Sequence, residues 1–65
     1  MIKNKLKEIR MKEYMMNCRD FSKMLEVPLS TYSQWENNRM YPPLPKIFEV
    51  CKKLNKQIIE VWYEE

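Results

Sequence analysis

Residues 16–54 read MNCRDFSKMLEVPLSTYSQWENNRMYPPLPKIFEVCKKL, and the punctuation of this stretch decides the fold. Asn17 precedes a helical pattern and has Asp20 three positions later, a capping-box-like start. The helix it opens carries Phe21, Met24 and Leu25 at i, i+3 and i+4, one apolar stripe. Pro28 has no N–H to continue that helix, and its fixed φ suits the opening of a third helix running to about Asn37. Pro42, Pro43 and Pro45 end the next loop and open a fourth helix, expected to bury Leu44, Ile47, Phe48, Cys51 and Leu54. Asn38 and Asn55 follow the third and fourth helices. The chain has no glycine, and Asn is the best substitute for the left-handed residue that ends a helix.

Working outward, Ile2, Leu6 and Ile9 recur at helical spacing and predict a first helix over about residues 3 to 15. A short fifth helix from Ile58 is expected to bury Ile58, Val61 and Trp62. No stretch alternates as a strand does. The expected fold is therefore all-α, five short helices joined by tight turns, in one domain over residues 1–65, because a second core would have too little chain.

Composition narrows the chemistry. There is no His, and the only cysteines are Cys18 and Cys51, so the usual ligands cannot assemble a four-coordinate zinc site. Two distant cysteines without a signal peptide make no disulfide framework, and Cys51 sits in an apolar rhythm as a reduced core residue. No metal or other cofactor is expected. Without His or Gly there is no usual catalytic triad and no glycine-rich phosphate loop, so catalysis is not expected either. No apolar run approaches the ~20 residues of a membrane span. These features predict a cytoplasmic chain that makes no membrane contact. Net charge is +3, with Lys3, Lys5, Lys7, Arg10 and Lys12 against Glu8 near the start, and Glu64 and Glu65 at the end. A basic end suits a polyanion or an acidic partner, or simply a solvated helix face.

The third helix is two-sided. At about 100° per residue, Leu29, Ser33, Asn37, Ser30 and Gln34 share one arc, and Tyr32 and Trp35 share the opposite one. The aromatic side is core. The other side is small, polar and uncharged, although exposed helix faces ordinarily favour Lys, Glu and Arg. Short hydroxyls permit close approach of a partner, Gln can bond adenine N6 and N7 in the major groove, and Leu29 can rest on a thymine methyl.

The wider motif resembles the phage-repressor and Cro family of helix-turn-helix domains, also called the xenobiotic-response-element family. DFSKMLEV (20–27), STYSQWENN (30–38) and the Pro that follows carry the resemblance. It implies a compact, lambda-repressor-like five-helix DNA-binding domain with the helix-turn-helix at helices two and three. Phe21, Leu25, Val27, Tyr32 and Trp35 would then fix the angle between these helices, with Ser22 at the close-packed small position. Leu29, Ser30 and Gln34 occupy base-reading positions, with Thr31 and Ser33 beside them. Asn17 and Cys18 stand where helix two meets the phosphate backbone, and Asn37, Asn38 and Arg39 follow the recognition helix where phosphates are commonly touched. Cys18 replaces a Gln, Glu26 replaces the turn Gly, and Pro28 replaces a Ser or Thr cap. RMKEYMMNC (10–18) is one residue longer than the usual connection. Arg10 corresponds to the helix-one Arg that pairs with the Glu of ENN, here Glu36.

The resemblance implies a repressor-like transcriptional regulator of phage or mobile-element type, working on a double-stranded operator as a homodimer, at least on DNA. Met40 and Tyr41, with Val61, Trp62 and Tyr63 at an exposed C-terminal end, are the candidate dimer contacts. The alternative is a helix-turn-helix fold used for protein contact, as an antirepressor or adaptor with a protein partner.

Overall fold

A computed structural model describes residues 1–65. The chain begins with a strand, β1 (Ile2–Asn4), then helix α1 (Leu6–Glu8), which continues without a break as a π-helical segment, Ile9–Tyr14. Four helices follow: α2 (Cys18–Met24), α3 (Leu29–Glu36), α4 (Leu44–Leu54) and α5 (Ile58–Val61). A second strand, β2 (Trp62–Glu64), closes the order. With 60% of residues helical, the all-α assignment holds. The ribbon is an addition to it: β1 pairs antiparallel with β2, Ile2 opposite Glu64 and Asn4 opposite Trp62.

That ribbon corrects the first helix, which starts at Leu6 rather than near residue 3. Ile2 sits four residues from Leu6, so its spacing mimics a helical stripe while its backbone is extended. The segment after α1 is π-helical, and its i→i+5 bonds each enclose one more residue than those of an α-helix. Met15, left-handed at φ 51°, ends it.

A chain without glycine must end its helices on side-chain-bearing left-handed residues. Glu26, Asn38 and Asn55 take that role, at φ 61°, 60° and 55°. Each terminus closes in the same way: Val27 N–H donates to Ser22 O (3.0 Å), Arg39 N–H to Gln34 O (2.9 Å) and Lys56 N–H to Cys51 O (3.0 Å). Asn tolerates this conformation; Glu26 does so at a cost of about 1–2 kcal/mol. Lys53 meets the exposed Glu26 carboxylate at 3.1 Å and lowers its pKa by hydrogen bonding and charge.

One cluster of eleven buried apolar residues forms the core: Leu6, Ile9, Phe21, Leu25, Tyr32, Trp35, Val50, Cys51, Leu54, Val61 and Trp62. Burial holds the Cys51 thiol above its ordinary pKa. The buried face of α4 is turned from the expected one. Ile47, Val50, Cys51 and Leu54 face the core, and Leu44 and Phe48 are each 59% exposed. Ile58 is exposed as well. Val61 (0% exposed) and Trp62 (7%) are core residues, as expected of the fifth helix, and this corrects the exposed C-terminal end: as candidate dimer contacts, Val61 has no outer surface and Trp62 only an edge.

Candidate nucleic-acid interface

The surface that could meet a nucleic acid is built by α2, the turn and α3. Asn17 opens α2 by accepting the Asp20 N–H at 2.8 Å. Pro28 opens α3 with φ −61° and ψ 146° and supplies no side-chain cap. On α3, Tyr32 and Trp35 are buried, and the Phe21 ring meets Tyr32 edge-on, centroids 5.5 Å apart. This aromatic contact across the turn fixes which face of α3 points away from the core. Leu29, Ser30, Gln34 and Asn37 are exposed; Ser33 is half-buried between them, and Thr31 is half-buried at the edge of the arc, on the Trp35 side.

A buried ionic knot holds α3 from behind. Glu36 accepts from Arg10 Nε and Nη2, both at 3.1 Å, and from the Tyr32 hydroxyl. Arg10 also donates to Met16 O at 2.9 Å, so one guanidinium ties the end of the π-helical segment to α3. Burial pushes the Glu36 carboxyl upward, but its hydrogen bonds from Arg10 and Tyr32 outweigh this and hold it below the usual range. The Arg10 pKa is raised by the same hydrogen bond to Glu36. Burial, then the hydrogen bond to Glu36, raises the Tyr32 phenol well above its ordinary value.

Cys18 is half-buried with its Sγ 4.0 Å from Glu36 Oε1, so its side chain leans inward, beneath the exposed surface. Asn37 donates to Ser33 O at 2.9 Å and lies 3.4 Å from Ser33 Oγ, a local bond within the exposed face. Asn38 accepts from Asn4 Nδ2 at 3.0 Å. Arg39 is exposed directly after α3.

Two cations near this surface, Arg19 and Lys23, escaped the sequence reading, and a third, Lys7, belongs to the basic first segment already noted. Arg19 and Lys23 line a shallow cleft with Leu29, Val27 and Pro28. Lys7 lies close enough to Glu36 to lower its pKa. The four-residue spacing of Arg19 and Lys23 was the available signal: like charges at i, i+4 disfavour a helix by about 0.2–0.5 kcal/mol, and a polyanion reverses that. Half of the chain's cations sit in ion pairs: Lys3, Arg10, Lys12, Lys46, Lys53 and Lys56. Arg19, Lys23, Arg39 and Lys7 do not, nor do Lys52 and Lys5, the last lying over the Tyr63 ring. The exposed polar face of α3 is thus bordered by cations with no carboxylate to neutralise them. Asp20 is the exposed carboxylate on α2.

No cluster of His, Cys, Asp or Glu could hold a metal ion, and no helix is long and apolar enough to cross a membrane. A family model described as helix-turn-helix matches residues 6–61. A search of curated proteins returns no match.

Proposed function

The chain belongs to the helix-turn-helix family of DNA-binding transcription regulators, and from that membership we propose that it is a sequence-specific, repressor-like regulator of the small phage or mobile-element kind. The observation that carries this reading is the uncharged exposed face of α3 set between unpaired cations. Leu29, Ser30 and Gln34 read base edges, with Thr31 and Ser33 beside them. Asn17, Arg19, Lys23, Asn38 and Arg39 hold phosphates and set the register; phosphate contacts position, and base contacts specify. Asn37 and Cys18 contribute less, the one committed to Ser33 and the other turned towards Glu36.

The test is binding to duplexes selected from a random pool, measured against salt. A regulator loses affinity with a log–log slope of about −0.9 for each phosphate it neutralises. An antirepressor or adaptor built on the same fold needs no such slope, and a flat profile with no selected sequence would favour it. Gln34→Ala is expected to leave the thermal melt unchanged and to remove about 1–3 kcal/mol of discrimination at one base pair. Unaltered preference at every position of the selected site would take Gln34 out of the reading set.

A two-fold dimer is part of this proposal, since it places two reading helices roughly 34 Å apart on successive major grooves. Its contact surface is an apolar groove at the C-terminal end, to which Trp62 contributes an edge and the buried Val61 nothing. Ile2, Tyr41, Ile47, Ile58, Ile59, Trp62 and Tyr63 line this groove, with Glu64 the one charged residue. The Tyr41 hydroxyl bonds Ile2 O at 3.2 Å and joins the Met40–Tyr41 loop to the ribbon as one wall. Ile59, 75% exposed beside the groove, supplies the projecting side chain that a second copy of the same groove would receive. The occupant proposed is therefore another copy of this chain, each giving and receiving an isoleucine, as a self-complementary two-fold contact requires. Ile59→Lys should sediment as a monomer with a wild-type fold by circular dichroism. A variant that still sediments as a dimer would move the contact elsewhere.

A further inference from the structure

Asn4 ends β1, yet its side chain reaches the opposite end of the reading helix. Nδ2 donates to Trp35 O at 2.7 Å and to Asn38 Oδ1 at 3.0 Å. Oδ1 accepts the Leu6 N–H at 3.1 Å, satisfying one of the free amides at the start of α1. One amide therefore uses both ends at once, on three partners, two of them over thirty residues away along the chain. Trp35 O is among the last carbonyls of α3, which have no partner inside the helix. Asn38 is the left-handed residue just beyond it.

The bond to Asn38 has a directional consequence. With its oxygen turned in to Asn4, the Asn38 side chain keeps its amino group as the free end, and only the amino group can donate to a phosphate. Asn38 is exposed, next to the unpaired Arg39. We propose that Asn4 is a positioning residue for DNA binding, which aims the Asn38 amino group at a phosphate while anchoring the C-terminal end of α3. This rests on the DNA-binding reading of the α3 surface. Asn4 touches no DNA itself; it acts through Asn38 and the Trp35 carbonyl.

Asn4→Asp separates this role from the capping of α1. Aspartate keeps the oxygen that accepts Leu6 N–H but has no N–H for Trp35 O or Asn38. Facing a carboxylate, Asn38 turns its amino group inward and presents its oxygen outward, where it repels a phosphate. On the best duplex from the random-pool selection, Asn4→Asp and Asn38→Ala are each expected to bind about tenfold more weakly, the scale of one hydrogen bond to a charged group. Asn38→Ala should leave the salt slope near the wild-type value, because an uncharged amide neutralises no phosphate. The double variant should bind no more weakly than either single one, the sign that both remove the same contact. A purely structural role for Asn4 would leave the two effects additive. Additive losses, or wild-type binding by Asn4→Asp, overturn the proposal. So does a binding loss that only tracks a lowered melt while Asn38→Ala binds normally. If the wild-type chain itself selects no duplex, the functional reading fails first, and the role assigned to Asn4 goes with it.

Discussion

Replacing Glu36 by alanine is expected to cost about 3–5 kcal/mol, the range for removing one partner from a buried ion pair. The side chains of Arg10 and Glu36 are only 11% and 10% exposed, so water cannot take over the lost contacts. The variant strands a guanidinium that retains Met16 O as its other partner, and leaves the buried Tyr32 hydroxyl without its acceptor. A native domain has only about 5–15 kcal/mol of stability, and short ones lie at the low end. Glu36→Ala should therefore be partly unfolded at room temperature, read as a much lower urea midpoint. Arg10→Met combined with Glu36→Leu should recover much of the loss, because an apolar pair leaves no charge unpaired. A single Glu36→Ala variant that melts with the wild type would refute the knot as a structural element.

The same group sets the acid limit of the fold. The folded pKa of Glu36 lies below the unfolded value of about 4.3. Its contribution is therefore present above about pH 4.3 and is lost as pH falls through the lower, folded value. Tyr32 acts in the opposite sense. Its folded pKa is raised, so its contribution is complete below the unfolded value of about 10 and declines as pH rises beyond that. Acid titration of the melt should show the first limb in the wild type and a shallower one in the Arg10→Met, Glu36→Leu double variant.

Trp35→Ala is the second large effect, expected at about 3–5 kcal/mol from lost burial and the cavity left behind. Trp35 is 3% exposed and lies on the core side of α3, opposite the polar arc, so the change touches no proposed DNA contact. The loss should appear as a lower melt, with duplex affinity falling only as the folded fraction falls. Trp62, the other tryptophan and also buried, remains as a fluorescent reporter of unfolding. A near-wild-type melt would mean that α3 is held by something other than its aromatic face.

Some features were decided by short-range rules, and these were legible. The Asn17 cap and the Pro28 start bracket the turn, and Asn38 and Asn55 take the left-handed positions because each depends on a few consecutive residues. Glu26 at its strained φ and the Arg10–Glu36 pair came instead from the family pattern, which carries long-range pairing that local rules lack. The two faces of α3 follow from helical periodicity alone, since its large aromatics leave one choice of inward side. The burial of Tyr32 and Trp35 and the exposure of Leu29, Ser30 and Gln34 agree with that reading.

What the local pattern could not supply depended on neighbours distant in sequence. The apolar residues of α4 span a broad arc from Val50 to Phe48, and only the seating of other elements against it decides that Val50 is buried and Phe48 is not. Three-residue strands show no periodicity, so the pairing of Ile2–Asn4 with Trp62–Glu64 exists only because the fold brings the two ends together. That pairing buries Trp62, leaves Ile59 outside, and carries Asn4 to the end of the reading helix. The sequence by itself determined the helix-turn-helix and its outward face, because helix caps, proline and hydrophobic period act over a few residues. Tertiary structure alone decided which outer apolar residues remain free and what steadies the far end of α3, because burial and side-chain hydrogen bonds are settled by contacts between segments that the linear order keeps apart.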